Sequence, residues 1–176
     1  MAGQRLTDKT ALEEQAGSGD LLMLVDVNDT TGSSAGTSKK TDFKYVIQTD
    51  KYSLNNTEVQ ALSTTSKTLV GALSGYMPTI YNVTVLCTYA ANTESSNVSL
   101  YLGYDDSQTI LYWDLGSRFM GAKSADASYQ FTGHQPGGGV DAGMLINKPF
   151  KMWSNAAFNG GWSCDVYVTY AYTKII

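Results

Sequence analysis

Between Trp162 and Tyr172 the chain alternates without a break. Trp162, Cys164, Val166, Val168, Tyr170 and Tyr172 fall on one side, and Ser163, Asp165, Tyr167, Thr169 and Ala171 on the other. Successive side chains of a strand point to opposite faces, so this order builds a strand with one face in a core and one outside it; a helix would scatter the same residues around its axis. Such a strand needs partners, and the sequence supplies them. Tyr81, Val83, Val85, Cys87 and Tyr89 alternate with Asn82, Thr84 and Thr88, and Val98, Leu100, Leu102 and Tyr104 alternate with Ser99, Tyr101 and Gly103. Asp105-Asp106-Ser107 reads as a hairpin turn leading into residues 109–113, which makes a meander. Asn159-Gly160-Gly161 predicts a second hairpin, joining residues 150–153 to the last strand. Short strands separated by Gly, Asn and Asp turns predict an all-β fold, an antiparallel β-sandwich of the jelly-roll kind with a small N-terminal segment attached, and disfavour an α/β arrangement.

Three stretches differ in character. Residues 76–176 carry the period-two pattern and are expected to form the sandwich. Residues 51–75 are rich in Ser and Thr and read as a linker, with a short helix over residues 57–62 capped by Asn56 or Thr57. Residues 1–50 form a unit of their own, in which Leu21-Leu22-Met23-Leu24-Val25-Asp26-Val27 reads as a strand covered on both faces. Residues 28–38 read as a flexible tip. Thr41 can then cap residues 42–47, either a helical turn or a second strand shielding Leu22 and Leu24. A unit this small cannot bury its apolar strand alone: below about 40 residues, free-standing domains need metals, disulfides or a partner. The expectation is that it docks onto another protein.

The charge and the chemistry-bearing residues exclude several functions. Net charge is −4, and the basic pair Lys39-Lys40 is too small to track a phosphate backbone, so nucleic acid is not an expected partner. The first residues lack the apolar run of a signal peptide, and no run approaches the ~18 residues that cross a bilayer, so folding in a cytoplasm without membrane contact is expected. Cys87 and Cys164 are the only cysteines, both on apolar sides of strands, and read as buried free thiols before they read as a disulfide. No metal or other cofactor is expected. His134 is the only histidine and sits in the Gly-rich segment Gly133-His134-Gln135-Pro136-Gly137-Gly138-Gly139, where a catalytic base would be poorly held. That segment reads as a long loop, either mobile or in contact with a neighbour. Residues 32–39 lack the Gly-Lys-Ser/Thr order of a phosphate-binding loop, and Asp105, Asp106 and Asp114 read as turn formers before they read as glycosidase carboxylates. The chain is expected not to be an enzyme. Charged residues make up only 16% while tyrosine alone numbers 12, which suits a neutral surface destined to be covered. Tyr101, Trp113 and Tyr167 fall opposite the apolar stripes of their strands and, with His134, are candidates for contact with another subunit or with a glycan.

Leu6-Thr7-Asp8, then Asp20-Leu21-Leu22-Met23-Leu24-Val25-Asp26-Val27-Asn28-Asp29, then Gly36-Thr37-Ser38-Lys39-Lys40-Thr41, resembles the segment near the N-terminus of many tailed-phage tail-fibre and head-fibre proteins. The resemblance covers about the first quarter of the chain. It implies a structural virion protein, assembled in the host cytoplasm, whose leading segment binds the capsid or another virion protein and whose sandwich forms a homotrimer. Leu21, Leu22, Leu24, Val25, Lys39, Lys40 and Phe43 are then the candidate attachment residues. A head fibre or capsid decoration is the first expectation, since no coiled-coil heptads mark a long shaft. A tail-fibre module that binds a receptor or host surface glycan is the alternative.

Overall fold

The computed structural model describes residues 21–32, 34–42, 46–104, 111–114, 119–132 and 145–175. The chain divides into two compact units, Met1–Val46 and Ile47–Ile176. In the first, β1 (Leu21–Asp26) and β2 (Thr37–Asp42) pair antiparallel, with Leu22 opposite Thr41, Met23 opposite Lys40 and Leu24 opposite Lys39. The strand that partners β1 is therefore the Thr-Ser-Lys-Lys-Thr-Asp stretch. The expected tip shortens accordingly, because Thr37 and Ser38 already belong to β2.

The second unit holds β3 (Gln48–Leu54), α1 (Asn56–Gln60), β4 (Lys67–Val70), β5 (Tyr76–Ala91), β6 (Leu100–Tyr104), β7 (Leu111–Asp114), β8 (Ala127–Thr132), β9 (Phe150–Ser154) and β10 (Gly161–Lys174). They form two antiparallel sheets, in the orders β3-β10-β5-β8 and β4-β9-β6-β7. Counted from β3, the sheets read 1-8-3-6 and 2-7-4-5, the strand order of a jelly roll; only the β6–β7 connection stays within one sheet. The all-β sandwich is thus observed, with one short helix and a 3-10 turn at Ala61–Ser63 as its helical elements among the described residues.

The alternation of β10 maps onto the core residue by residue. Trp162, Cys164, Val166, Val168 and Tyr170 are buried, and β10 runs between β3 and β5 as a central strand. From the facing sheet, Leu100, Leu102, Tyr104, Phe150 and Met152 complete one continuous apolar cluster. Tyr104 donates its hydroxyl proton to the Pro78 carbonyl at 2.6 Å, so a β6 side chain satisfies a β5 backbone group. At the other end of the core Phe119 packs 5.2 Å from Trp162 and 4.7 Å from Tyr129, ring centre to ring centre.

Four expectations are corrected. Tyr81 was placed on the inward stripe of β5 but is exposed, because the register with β10 slips between Thr169 and Tyr170. Tyr170 then faces Ile80, and Tyr81 is the extra residue of a bulge; Val83, Val85 and Cys87 face inward after it, Ile80 and Pro78 before it. Residues 51–75 are not a linker. They supply most of β3, then α1 and β4, and so furnish an edge strand to each sheet. The cap of α1 is Asn55, whose side chain accepts from the Glu58 N–H at 3.0 Å while Glu58 Oε2 accepts from the Asn55 N–H at 2.9 Å, a reciprocal capping box. Finally, β9 and β10 are not a hairpin, since they lie in different sheets.

The reason for that last correction is Glu94. Its carboxylate, 3% exposed, accepts from the N–H groups of Asn159 and Gly160 at 3.0 and 2.8 Å, from the N–H and hydroxyl of Ser96, and at 3.5 Å from the indole N–H of Trp162. These bonds anchor Asn159 and Gly160 at the end of the crossing, just ahead of β10, while Asn155 at its start accepts from the Ser99 N–H at 2.9 Å. Burial pushes the Glu94 carboxyl up, but the Ser96 hydroxyl and the Gly160 N–H more than offset it, and its pKa ends below the usual 4.5. A depressed carboxylate stabilises the fold above its unfolded pKa and loses that contribution as pH falls through the lowered folded value. Glu94→Ala should therefore lower unfolding stability at pH 7 by about 2–4 kcal/mol, because it strands buried donors. In urea titrations the gap to wild type should close as pH falls below 4.5.

Candidate functional site

The residues of β1 are joined to a turn that is specified side chain by side chain. Asp26 accepts from the N–H groups of Asn28 and Asp29 at 3.0 and 3.3 Å. Asp29 accepts from the Thr31 N–H and hydroxyl at 3.0 and 2.6 Å, and Thr37 Oγ1 accepts from the Gly32 N–H at 3.0 Å. Gly36 enters β2 at φ +113°, and a Cβ there would lie 2.7 Å from the Asp26 carbonyl oxygen, so only glycine fits. Lys39 reaches back to Asp29, Nζ to Oδ2 at 2.5 Å. A turn this well defined presents β1 as a formed strand.

What β1 presents is apolar and open. Met23 is 74% exposed, Leu24 54%, Val25 60% and Val27 69%, while Leu22 is half-buried. Because β2 is polar, the division runs between the two strands rather than between the two faces. Leu24 is thus not shielded as expected. Leu21 opens β1 opposite Asp42, and Lys40, exposed, lies opposite Met23. Lys39 and Lys40 are strand residues, not turn residues, and Lys39 is engaged with Asp29. Phe43 lies outside the described residues. Leu22, Leu24, Val25, Lys39 and Lys40 therefore share one hairpin, and Met23 and Val27 join them, although neither was singled out from the sequence.

Of the four candidates for subunit or glycan contact, Tyr101 and Tyr167 lie in different sheets and do not converge. Tyr101 was expected on an open face, yet it is 8% exposed, packed against Trp153 with ring centres 5.8 Å apart. The physical reason is that all five residues of β6 are buried, so this strand is covered on both faces. Trp113 is placed in β7, opposite Leu102. His134 lies outside the described residues. Tyr167 stands on the outer face of β10, in the other sheet from Tyr101, with the Lys51 ammonium 5.7 Å from its ring centre. Around it the outer face is neutral and knitted to itself. Thr49 and Thr169 share a hydroxyl bond at 2.8 Å, Thr79 and Thr173 one at 2.6 Å, and Asp165 takes both Lys51 at 2.9 Å and the Ser53 hydroxyl at 2.6 Å. Tyr81 and Leu86 add exposed apolar area on the same strand system.

Several described carboxylates are engaged in fixed hydrogen bonds. Among the described residues no three His, Cys, Asp or Glu side chains gather as metal ligands. Asp50 accepts from the hydroxyl of Tyr170 at 2.8 Å and, at the limit of bonding, from that of Tyr52 at 3.5 Å. Burial first, then Asp50 itself, pushes Tyr52 up to about 12 and Tyr170 further, so both phenols stay protonated as donors. Gln48, buried at the start of the same strand, has no hydrogen-bond partner for either amide atom among the described residues. Glu58, on the wall of a shallow pocket beside α1, is held by the Asn55 N–H and faces Lys67 at 3.8 Å.

No family model and no curated protein matches the sequence. Among solved structures, the chain is similar to a chain of the capsid asymmetric unit of cyanophage Pam1 at 15% identity, TM-score 0.42, with 97% of each chain covered. It is also similar to the carbohydrate-binding module CBM6cm-2 of Cellvibrio mixtus lichenase 5A, solved with cellotriose, at 13% identity and TM-score 0.29, covering 90% of this chain and 89% of that one. Both similarities are too weak for any residue role to be carried across.

The turn of the hairpin has a titration signature. Lys39 first, then the Thr31 hydroxyl, lowers the Asp29 carboxyl from its usual 3.8 to about 2. Its contribution to the folded turn is present above pH 3.8 and lost as pH falls through about 2. Carboxyl-detected NMR should give a midpoint near 2 for Asp29 in the native chain, and Lys39→Ala should raise it toward 3.8.

Proposed function

We propose that this chain is a non-enzymatic structural protein of a tailed-phage particle, a head fibre or capsid decoration, anchored through the residues before about Asp50 and assembled as a homotrimer through its sandwich. The observation that carries the reading is the open apolar strand. Four large side chains of and beside β1 are more than half exposed, on a two-stranded hairpin whose turn is held by Asp26, Asp29 and Thr37. An isolated two-stranded hairpin is marginal in water, and covering a side chain of this size is worth roughly 1.5–3 kcal/mol. A partner surface that covers several of them therefore stabilises both the hairpin and the attachment. The same strand carries the resemblance to the attachment segments of tail-fibre and head-fibre proteins, so the two lines of support meet on Met23, Leu24, Val25 and Val27. Lys40 and the hydroxyls of β2 leave a polar margin beside the apolar strip, as a docking surface has.

The anchor role is tested by placing charge on the strip. In particles of the virus that encodes the chain, Met23→Asp with Val25→Asp should cut incorporation at least about tenfold, since each buried unpaired charge costs several kcal/mol. The melting transition of the sandwich should be retained in the purified variant. Incorporation equal to wild type contradicts the anchor, and a stable monomer in sedimentation at micromolar concentration contradicts the trimer.

A further inference from the structure

The only two cysteines of the chain, far apart in sequence, are direct neighbours in space. Cys164 of β10 is the register partner of Cys87 of β5, and both side chains lie in the buried cluster between the sheets. An antiparallel ladder sets opposing Cα atoms either about 4.5 or about 5.5 Å apart, depending on whether the pair exchanges hydrogen bonds. Disulfides span Cα separations of about 4.4–6.8 Å, so both cases fall within reach. Both thiols are free in this structure. Core packing alone asks for small apolar side chains at these positions; it does not ask that both be cysteine, nor that they meet.

We propose that Cys87 and Cys164 form a modification site, an intramolecular cross-strand disulfide that joins β5 to β10 when the chain meets a low-molecular-weight disulfide oxidant. In the first step one thiol gives up its proton, and its thiolate attacks a sulfur of the oxidant, releasing one oxidant thiolate and leaving a mixed disulfide. In the second step the other cysteine, deprotonated in turn, attacks the protein sulfur of that mixed disulfide and releases the second oxidant thiolate. The two protons end on the two released thiols. Two protein thiols are thereby oxidised and one external disulfide is reduced. Burial pushes the Cys164 thiol up to about 12 and the Cys87 thiol higher, with the neighbouring sulfur adding to the latter. The closed sheet therefore supplies almost no thiolate, and the exchange belongs to folding or to an opening of the β5–β10 pair. A protein that leaves a reducing cytoplasm fully folded keeps its thiols; one that folds or opens outside it becomes cross-linked.

The test uses one sequence in two redox states, so no core substitution is required. The full chain is unfolded, reduced, and refolded either with a reducing agent or in a mixture of reduced and oxidised glutathione. Non-reducing peptide mapping of the second sample should find Cys87 linked to Cys164 within one chain, with the intact mass lower by two hydrogens. Its thermal midpoint should exceed that of the reduced sample by about 5–10 °C, the shift expected when a long loop is closed in the unfolded state. Two free thiols, glutathione adducts, links between chains, or a cross-linked form that melts below the reduced one would each overturn the proposal.

Discussion

The pairing of β10 with β5 is the constraint on which the rest of the structure depends. The two strands run antiparallel from Gly161 opposite Ala91 to Lys174 opposite Tyr76 and lie at the centre of their sheet. A slip of one residue would turn Trp162, Val166, Val168 and Tyr170 out to solvent and bring Asp165 and Thr169 inside, so the apolar stripe itself fixes the register. One local exception is absorbed by the bulge at Tyr81, which lets Ile80 and Val83 both face inward although they differ in parity. Once this pair is set, β3 and β8 add on its flanks, and the buried stripe calls for the facing sheet of β4, β9, β6 and β7 to cover it.

The molecule is asymmetric in how its surface is committed. On the sandwich, polar groups are mostly spoken for by local partners: the Thr49–Thr169 and Thr79–Thr173 pairs, the Lys51–Asp165–Ser53 group, the carboxylates of Glu94 and Asp50. Among the described residues, the carboxylates of Glu94, Asp50 and Asp165 each accept from fixed donors. The hairpin is the reverse case. Asp26, Asp29 and Thr37 each hold a turn N–H, while Met23, Leu24, Val25 and Val27 are exposed, and exposed apolar area of this kind is what a docking element offers. This contrast is the basis for reading the chain as an assembly protein with a separate means of attachment.

Strand identity was readable wherever one face meets the core and the other meets solvent. That is why β10 and the middle of β5 agree with the alternation, and why Leu100, Leu102 and Tyr104 were placed inward correctly. Alternation cannot report what covers the second face, so Tyr101 read as exposed although β6 is buried on both sides. Nor does it report which sheet a strand joins. Asn159-Gly160-Gly161 has the composition of a hairpin turn, yet the chain crosses between sheets there, and the Glu94 carboxylate that binds Asn159 and Gly160 is remote in sequence. Ser and Thr made residues 51–75 look like a linker because edge strands need few apolar residues; Leu54, Leu62, Leu69 and Val70 were the signal available, and all four are buried. At the hairpin, the apolar run identified β1, but its partner was misplaced, since a polar strand such as Thr37–Asp42 carries no hydrophobic period to find.

The sandwich closes on its own core, whereas Met23, Leu24 and Val25 of the hairpin are exposed. Hydrogen exchange on the purified chain measures this most directly, residue by residue. The account predicts that amides of β10 and β5 between Cys164 and Val168 and between Val83 and Cys87 exchange only through global unfolding, and that amides of β1 exchange orders of magnitude faster. Protection of Met23, Leu24 and Val25 equal to that of Val166 in the purified chain would contradict it.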